Sequence, residues 1–308
     1  MFNIIFDIDE TLTTDSAEDF DKMELINELC TNPDRFVQAL RPHFLHHGVL
    51  ELIKAVLAIP EVNIHFFSAD VEERNKPFVA ELIKKAMGDD YYENHKTQTR
   101  IFSRPELIDV QKELESHPEK TESDYQPPYE IFKGHRKKDI SLVNKEEQAL
   151  KYTCLADDRP GITLKGQEKN YINILPFYPK YLDLNDFVHA DEKTYQQSMH
   201  FKALNHIFYL AGFLIDAINL ARQNTAKPLS MILFEKQFVK IDLFRYQPNF
   251  ETLNSDMYYY EKGLSYLQQH NPHLELLTPQ NLKEQLNLSS NLFAPSEQCK
   301  RITLTNTQ

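Results

Sequence analysis

Residues 2–6, Phe-Asn-Ile-Ile-Phe, form a short run of β-branched and aromatic residues that breaks off at Asp7-Ile8-Asp9-Glu10-Thr11. Such a run reads as a buried strand of a parallel sheet. In open α/β sheets ligands sit outside the carboxyl ends of the strands, and this strand delivers carboxylates there. Two further segments have the same form, one running through Phe66-Phe67 to Ser68 and one through Cys154-Leu155 to Asp157 and Asp158. Residues 171–177 predict a fourth strand. Apolar residues at helical spacing lie between them, in Leu50, Ile53 and Leu57 and again in Phe78, Leu82, Ile83 and Ala86. Strand alternating with helix predicts an α/β fold, a parallel sheet with helices on its faces.

The chain has 308 residues, which at roughly 150 residues per domain leaves room for a second unit beside such a sheet. The stretch 104–132 is polar and carries Pro105, Pro118, Pro127 and Pro128, so it reads as an insertion or flap rather than core. After about His189 the pattern changes. Leu204, Ile207, Phe208, Ala211, Ile215 and Ile218 line one face of a long amphipathic helix, predicted from near Glu192 to Arg222. The expected division is therefore 1–190 for the α/β unit and 191–308 for a mostly helical region with a flexible tail. Residues 231–244 are ambiguous between helix and strand, and 281–286 read as another helix.

A net charge of −12 and a pI near 5.5 oppose general nucleic-acid binding. The longest apolar run, Ile207 to Ile215, is about half of what a bilayer-spanning helix needs, so no transmembrane segment is expected. No signal peptide opens the chain, because an apolar stretch does not run through Asp7, Asp9 and Glu10. Cys30, Cys154 and Cys299 are odd in number and form no metal-binding pair, which suits a reducing compartment. The expected location is the cytoplasm, and a composition with few Gly, no Trp and many Asn, Gln and Lys is compatible with a bacterial protein delivered into a host cell.

Asp7 and Asp9, two apart on a strand, point to the same side and crowd two carboxylates together. They repel unless a cation intervenes or one is protonated. With Asp157 and Asp158 the strand ends hold four acidic groups. An all-oxygen set asks for a hard divalent cation, and Mg²⁺ fits better than zinc because no His or Cys stands at these strand ends. Ser68 can donate a hydroxyl to a phosphoryl oxygen. A lysine from Gly134-His135-Arg136-Lys137-Lys138 can balance the charge of carboxylates and phosphate.

Asp7-Ile8-Asp9-Glu10-Thr11, then Phe67-Ser68, then a lysine, then Asp157-Asp158-Arg159-Pro160 resemble, in that order, the four motifs of the haloacid dehalogenase (HAD) superfamily. Leu40-Arg41-Pro42-His43, Lys138-Asp139-Ile140-Ser141 and Asn173-Ile174-Leu175-Pro176-Phe177 are similar to segments of its RNA polymerase II carboxy-terminal-domain phosphatase branch. The resemblance covers residues 1 to about 190. It implies the three-layer, Rossmann-like HAD sheet with a small insertion near the active site, and a phosphatase. Asp7 would be the nucleophile that becomes an aspartyl phosphate, and Asp9 the acid and base. Mg²⁺ would be held by Asp7, the Asp9 carbonyl, Asp157 and Asp158. Ser68 and Lys138 would stabilise phosphoryl charge, with Thr11 beside them. Lys138 is preferred to Lys137 because it opens the Lys-Asp-Ile-Ser segment. The expected substrate is a phosphoprotein side chain, phosphotyrosine or phosphoserine/threonine. The other readings are a small phosphorylated metabolite under a lid made by 104–132, and an adaptor whose C-terminal helices bind a protein partner.

Other features have plainer readings. His43, His46 and His47 read as helical surface histidines, since no carboxylate or Cys completes a metal set. Gly161 and Gly166 have P-loop spacing, but Gln167 stands where lysine is required, so this is a turn. Cys154 reads as an inert buried thiol. Tyr258, Tyr259 and Tyr260 read as a partner surface or as half core, half surface.

Overall fold

The computed structural model describes residues 1–13, 45–125, 136–175, 192–224, 226–241 and 246–278. The expectations on Arg41, Pro42, His43, Pro127, Pro128, the helix at 281–286 and the tail lie outside these residues. Strand β1 (Phe2–Phe6) is buried along its whole length because it sits mid-sheet. It pairs in parallel with β2 (Val62–Phe67) on one side and β6 (Thr153–Asp157) on the other. Between β2 and β6 in the chain come β3 (Ile101–Phe102), β4 (Ile108–Asp109) and β5 (Arg136–Lys137), and after β6 comes β7 (Tyr171–Asn173). The main sheet is α/β and parallel, in the order β3-β2-β1-β6-β7. The three strands that end in the candidate site residues are therefore neighbours. β7 is the fourth expected strand. β3 was not expected, since two residues give no periodicity to read.

Side chains alternate across this sheet. Phe2, Ile4 and Phe6 of β1, with Cys154 and Ala156 of β6, face the large core, while Ile5 and Leu155 face a small cluster with Phe67, Ile140 and Val143. In helix α1 (Val49–Leu57) the buried face on the large-core side is Val49, Leu52, Ile53 and Val56, and of the expected stripe Leu50 and Leu57 are only partly buried against that core. Helix α2 (Glu72–Met87) buries its expected stripe on the same side. The other face is covered, among the described residues, by 3₁₀ turns at Ile140–Val143 and Glu147–Tyr152. Helices on both faces were expected; short turns fill one of them here. Cys154 is fully buried, and burial pushes its thiol well above the usual range, as read.

After α3 (Asp89–His95), the insertion folds into short pieces: α4 (Val110–Ser116), α5 (Glu122–Tyr125), and a two-stranded antiparallel pair of β4 with β5. Within residues 104–125 the buried residues are Val110 and Tyr125. The pair matters to the site because β5 leads directly into Lys138.

The single helix expected from Glu192 to Arg222 is instead three: α6 (Glu192–Gln197), α7 (Met199–Leu204) and α8 (His206–Gln223). Ser198 accepts from the Phe201 N–H and caps α7. Asn205 spends its side chain on Phe201 and both main-chain groups of Leu277, which breaks the second junction. Nor is α8 amphipathic in place. Tyr209, Leu210, Phe213, Leu214 and Ala217 are buried together with the expected face, as befits a helix enclosed by core. The ambiguous segment resolves into α9 (Leu229–Gln237) followed by β8 (Phe238–Lys240), which pairs with β9 (Tyr246–Pro248). The chain continues through α10 (Phe250–Leu253) into α11 (Met257–Gln268). Of the three tyrosines, Tyr258 is exposed and Tyr259 and Tyr260 are buried.

The C-terminal helices share the large core with β1, β2, β6 and α1. Gln237 of α9 accepts from the Asn173 N–H at 3.1 Å and donates to the Tyr171 carbonyl, so one side-chain amide serves the edge of β7. His206, opening α8, reaches the Thr11 carbonyl at 2.8 Å. His46, read as a surface residue, is buried with its ring 4.2 Å from that of His206. The ring of His206 at the start of α8 packs edge-on against it, a contact between residues 160 apart in the numbering.

His65 of β2 is buried and bonded at both nitrogens. Nδ1 accepts from the Arg100 N–H at 3.1 Å, which leaves the proton on Nε2 to donate to Asn3 Oδ1 at 3.3 Å. Burial, and then the nearby Arg100 charge, lower its pKa from 6.5 to about 4. The unfolded chain therefore binds a proton that the folded chain refuses, and stability falls as pH drops from 6.5 through about 4. About 2 kcal/mol should be lost between pH 7 and pH 5 from this residue, at about 1.4 kcal/mol per pH unit. Urea titrations at the two pH values measure it. His65→Asn, whose Oδ1 can accept from the Arg100 N–H, should be flatter than wild type by that amount; an unchanged slope would refute the assignment.

Candidate active site

Three strand ends meet here. The rung Phe6↔Ala156 sets Asp7 beside Asp157 one step further on, and the Asp7 N–H donates to the Ala156 carbonyl at 2.9 Å. Asp7, Asp157 and Asp158 are buried and offer carboxylate oxygens that all lie within 4.8 Å of one another. Thr11 Oγ donates to Asp7 Oδ2 at 3.4 Å. The Asp157 main chain is fixed by the Tyr171 hydroxyl at 2.9 Å, and its Oδ1 accepts from the Arg159 N–H at 2.8 Å.

Lys138 is the cation of the cluster. Its Nζ lies 2.5 Å from Asp7 Oδ1 and 2.7 Å from Asp157 Oδ2, with the ring of Phe67 below it. Burial works against its charge, but Asp157 and Asp7 outweigh it and hold the ammonium above the usual lysine range. Lys137, one residue earlier, donates instead to the Gly161 carbonyl. Successive residues leaving a strand point to opposite sides, and this is what separates the two lysines.

Asp9 turns the other way. Ser68 Oγ donates to its Oδ2 at 2.8 Å, Arg74 Nη1 donates to the same oxygen at 2.8 Å, and Arg74 Nη2 pairs with Oδ1. Burial would raise the Asp9 pKa, but the Arg74 guanidinium, its hydrogen bonds and that of Ser68 together hold it below the usual carboxylate value. The carboxylates of Asp7 and Asp9 thus have separate partners, although both leave the same strand. Glu10, the residue after Asp9, adopts φ 60°, a left-handed conformation that costs a non-glycine residue energy and that recurs at functional turns.

The remaining charges do not balance. Burial first, then Asp157, Asp7 and Glu10, push Asp158 up to about 10. Burial, with Asp157 and Asp9 and against Lys138, pushes Asp7 up to about 7. A cation among the three carboxylates would oppose both shifts by favouring the ionised forms, and the donor set, all hard oxygens, fits a hard divalent ion. This buried triple-Asp cluster can hold a metal ion.

All the residues singled out in the sequence, Asp7, Asp9, Thr11, Ser68, Lys138, Asp157 and Asp158, come together here. Arg74 and Glu10 were missed. Arg74 had a legible signal: it stands in the first turn of α2, beside Glu72 and Glu73, where the helix dipole disfavours a cation. Its pairing with Asp9, and with Asp70 at 2.5 Å, explains the exception. His46 and His47, not read as metal ligands, are not among the groups that could hold a metal ion within the described residues, and His47 Nε2 lies 2.9 Å from the Glu275 carbonyl. No helix among the described residues is long and apolar enough to cross a membrane. Compared with models of protein families, with characterised proteins and with solved structures, the chain matches none.

Proposed function

We propose that this protein is a Mg²⁺-dependent phosphomonoester hydrolase of the HAD type, acting through an aspartyl phosphate on Asp7. The observation that carries the reading is Lys138 Nζ set between Asp7 and Asp157, with Asp158 completing three carboxylates around one point and Ser68 at the adjoining strand end. Asp7, Asp157 and Asp158 would hold Mg²⁺ together with the Asp9 carbonyl. The metal would supply positive charge to the phosphoryl oxygens and allow two anions, Asp7 and the phosphate, to approach.

The residues then divide the work. An Asp7 carboxylate oxygen attacks phosphorus, the ester P–O bond breaks, and Asp9, which takes a proton from solvent on leaving Arg74 and Ser68, gives that proton to the leaving oxygen. Asp9 next accepts a proton from water as that water attacks phosphorus and the bond to Asp7 breaks, releasing inorganic phosphate. Lys138 and Ser68 stabilise the charge that spreads over the phosphoryl oxygens. The second acid at Asp9 favours hydrolysis of a phosphate ester over other chemistries of the superfamily.

Phosphoprotein side chains are the proposed substrates, phosphotyrosine or phosphoserine/threonine. What supports this is the described part of the insertion: residues 104–125 make short elements with two buried residues, Val110 and Tyr125, and form no compact cap by themselves. A panel of phosphotyrosine and phosphoserine peptides, sugar phosphates and nucleotides tests it, and turnover confined to sugar phosphates or nucleotides would contradict it. The metal has its own readout. Mg²⁺ should raise the melting temperature of the wild type by binding the folded state only, EDTA should reverse the rise, and Asp158→Asn should abolish most of it. Equal melting curves with and without Mg²⁺ would count against the metal site.

A further inference from the structure

Three donors converge on the Asp9 carboxylate. Ser68 Oγ and Arg74 Nη1 both reach Oδ2 at 2.8 Å, and Arg74 Nη2 takes Oδ1. A serine hydroxyl with a bidentate guanidinium is an oxyanion cradle, equally suited to two oxygens of a phosphoryl group. Its outer side is open, since the Asp9 side chain is 36% exposed and that of Arg74 only 15%. Arg74 is also anchored independently of Asp9: Nη1 pairs with Asp70 Oδ2 at 2.5 Å, and Asp70 is in turn tied to Ser68 Oγ through its own N–H at 3.1 Å. Releasing Asp9 would leave the guanidinium in place, still facing Ser68.

We propose that Arg74 is a phosphate-binding residue. The Asp9 carboxylate holds the place of phosphoryl oxygens between Ser68 and Arg74, and the substrate phosphate takes it over while Asp9 turns toward the leaving group. The inference rests on the proposed phosphatase reading through Ser68: a hydroxyl that donates to a phosphoryl oxygen brings that oxygen within reach of Arg74, because both donors already share one acceptor atom. The exchange breaks and makes only hydrogen bonds and ion pairs. It gives Arg74 two roles in turn, orienting Asp9 and then carrying part of the phosphoryl charge.

The test is binding of inorganic phosphate to the full-length protein in Mg²⁺, measured by calorimetry, beside KM and kcat for a phosphomonoester. Arg74→Gln should weaken phosphate binding and raise KM by about 10- to 100-fold, the worth of a charge-assisted fork. Arg74→Lys, which keeps the charge and can keep the pair with Asp70, should fall between, and it serves if the Gln variant does not fold. Added guanidinium should restore part of the affinity of Arg74→Ala. Unchanged phosphate affinity and KM in folded Arg74→Gln or Arg74→Lys, with only kcat reduced, would overturn the proposal and leave Arg74 as a residue that positions Asp9. A wild type that binds no phosphate and turns over no phosphoester would overturn the phosphatase reading itself, and the inference with it.

Discussion

Gly263→Ala should unfold the protein or lower its melting temperature by many degrees, and Gly212→Ala should do nearly the same. Helices α8 and α11 cross at these two residues with their backbones touching. A Cβ on Gly263 would stand 1.8 Å from the Phe208 carbonyl oxygen, and one on Gly212 would stand 2.0 Å from that of Tyr259. Both obstacles are main chain inside helices, so no rotamer change relieves them. The helices would have to part, and with them the aromatic layer of Tyr209, Phe213, Tyr259 and Tyr260. Overpacking costs about 1–3 kcal/mol where side chains can shift, and here they cannot, so the loss should exceed that range. The helix propensity gained by replacing Gly, about 1 kcal/mol, is too small to offset it. Gly88→Ala is the comparison: its φ is 93° but nothing lies within 4 Å, so only the backbone penalty of roughly 1–2 kcal/mol applies. Urea titration of the three variants gives the order. A Gly263→Ala protein as stable as Gly88→Ala would mean that the two helices do not meet this closely.

The consequence reaches the site. α8 packs in the core shared with β1, and His206 at its start holds the Thr11 carbonyl of the turn that carries Asp7 and Asp9. The apolar face of 204–218 is consumed in this packing. An adaptor role for the C-terminal helices would have to use other surface.

Asp7→Asn carries the second large effect. The substitution keeps the shape but turns one of two accepting oxygens, which bond Lys138 and Thr11, into a donor. It removes the oxygen anion proposed as nucleophile, one of three carboxylates of the proposed metal site and one of the two carboxylate partners of Lys138. Loss of a nucleophile costs on the order of 10³-fold or more in kcat. Folding should survive, since the change also removes a buried charge that Asp157 and Asp9 oppose. Turnover and thermal stability should therefore separate: activity lost, melting curve kept.

The strands that build the site were legible because each is a short apolar run ending in a functional residue, and the parallel sheet turns that one-dimensional pattern into three adjacent ends. Lys138 was legible through the segment that follows it, though its separation from Lys137 depends on which way β5 points. What was not legible depends on contacts distant in sequence. Arg74 is one cation in a charged helix until Asp9 folds against it. The break at Asn205 involves Leu277, which lies far along the chain. Gly212 and Gly263, fifty-one residues apart in the numbering, show nothing of their contact until α8 and α11 cross.

The most direct test of the central claim is the release of inorganic phosphate from a phosphotyrosine or phosphoserine peptide by purified wild type and Asp7→Asn, each with Mg²⁺ and with EDTA. The account predicts release by the wild type with Mg²⁺ alone, and none by folded Asp7→Asn under either condition. Phosphate release by Asp7→Asn at the wild-type rate, or by the wild type undiminished in EDTA, would contradict it.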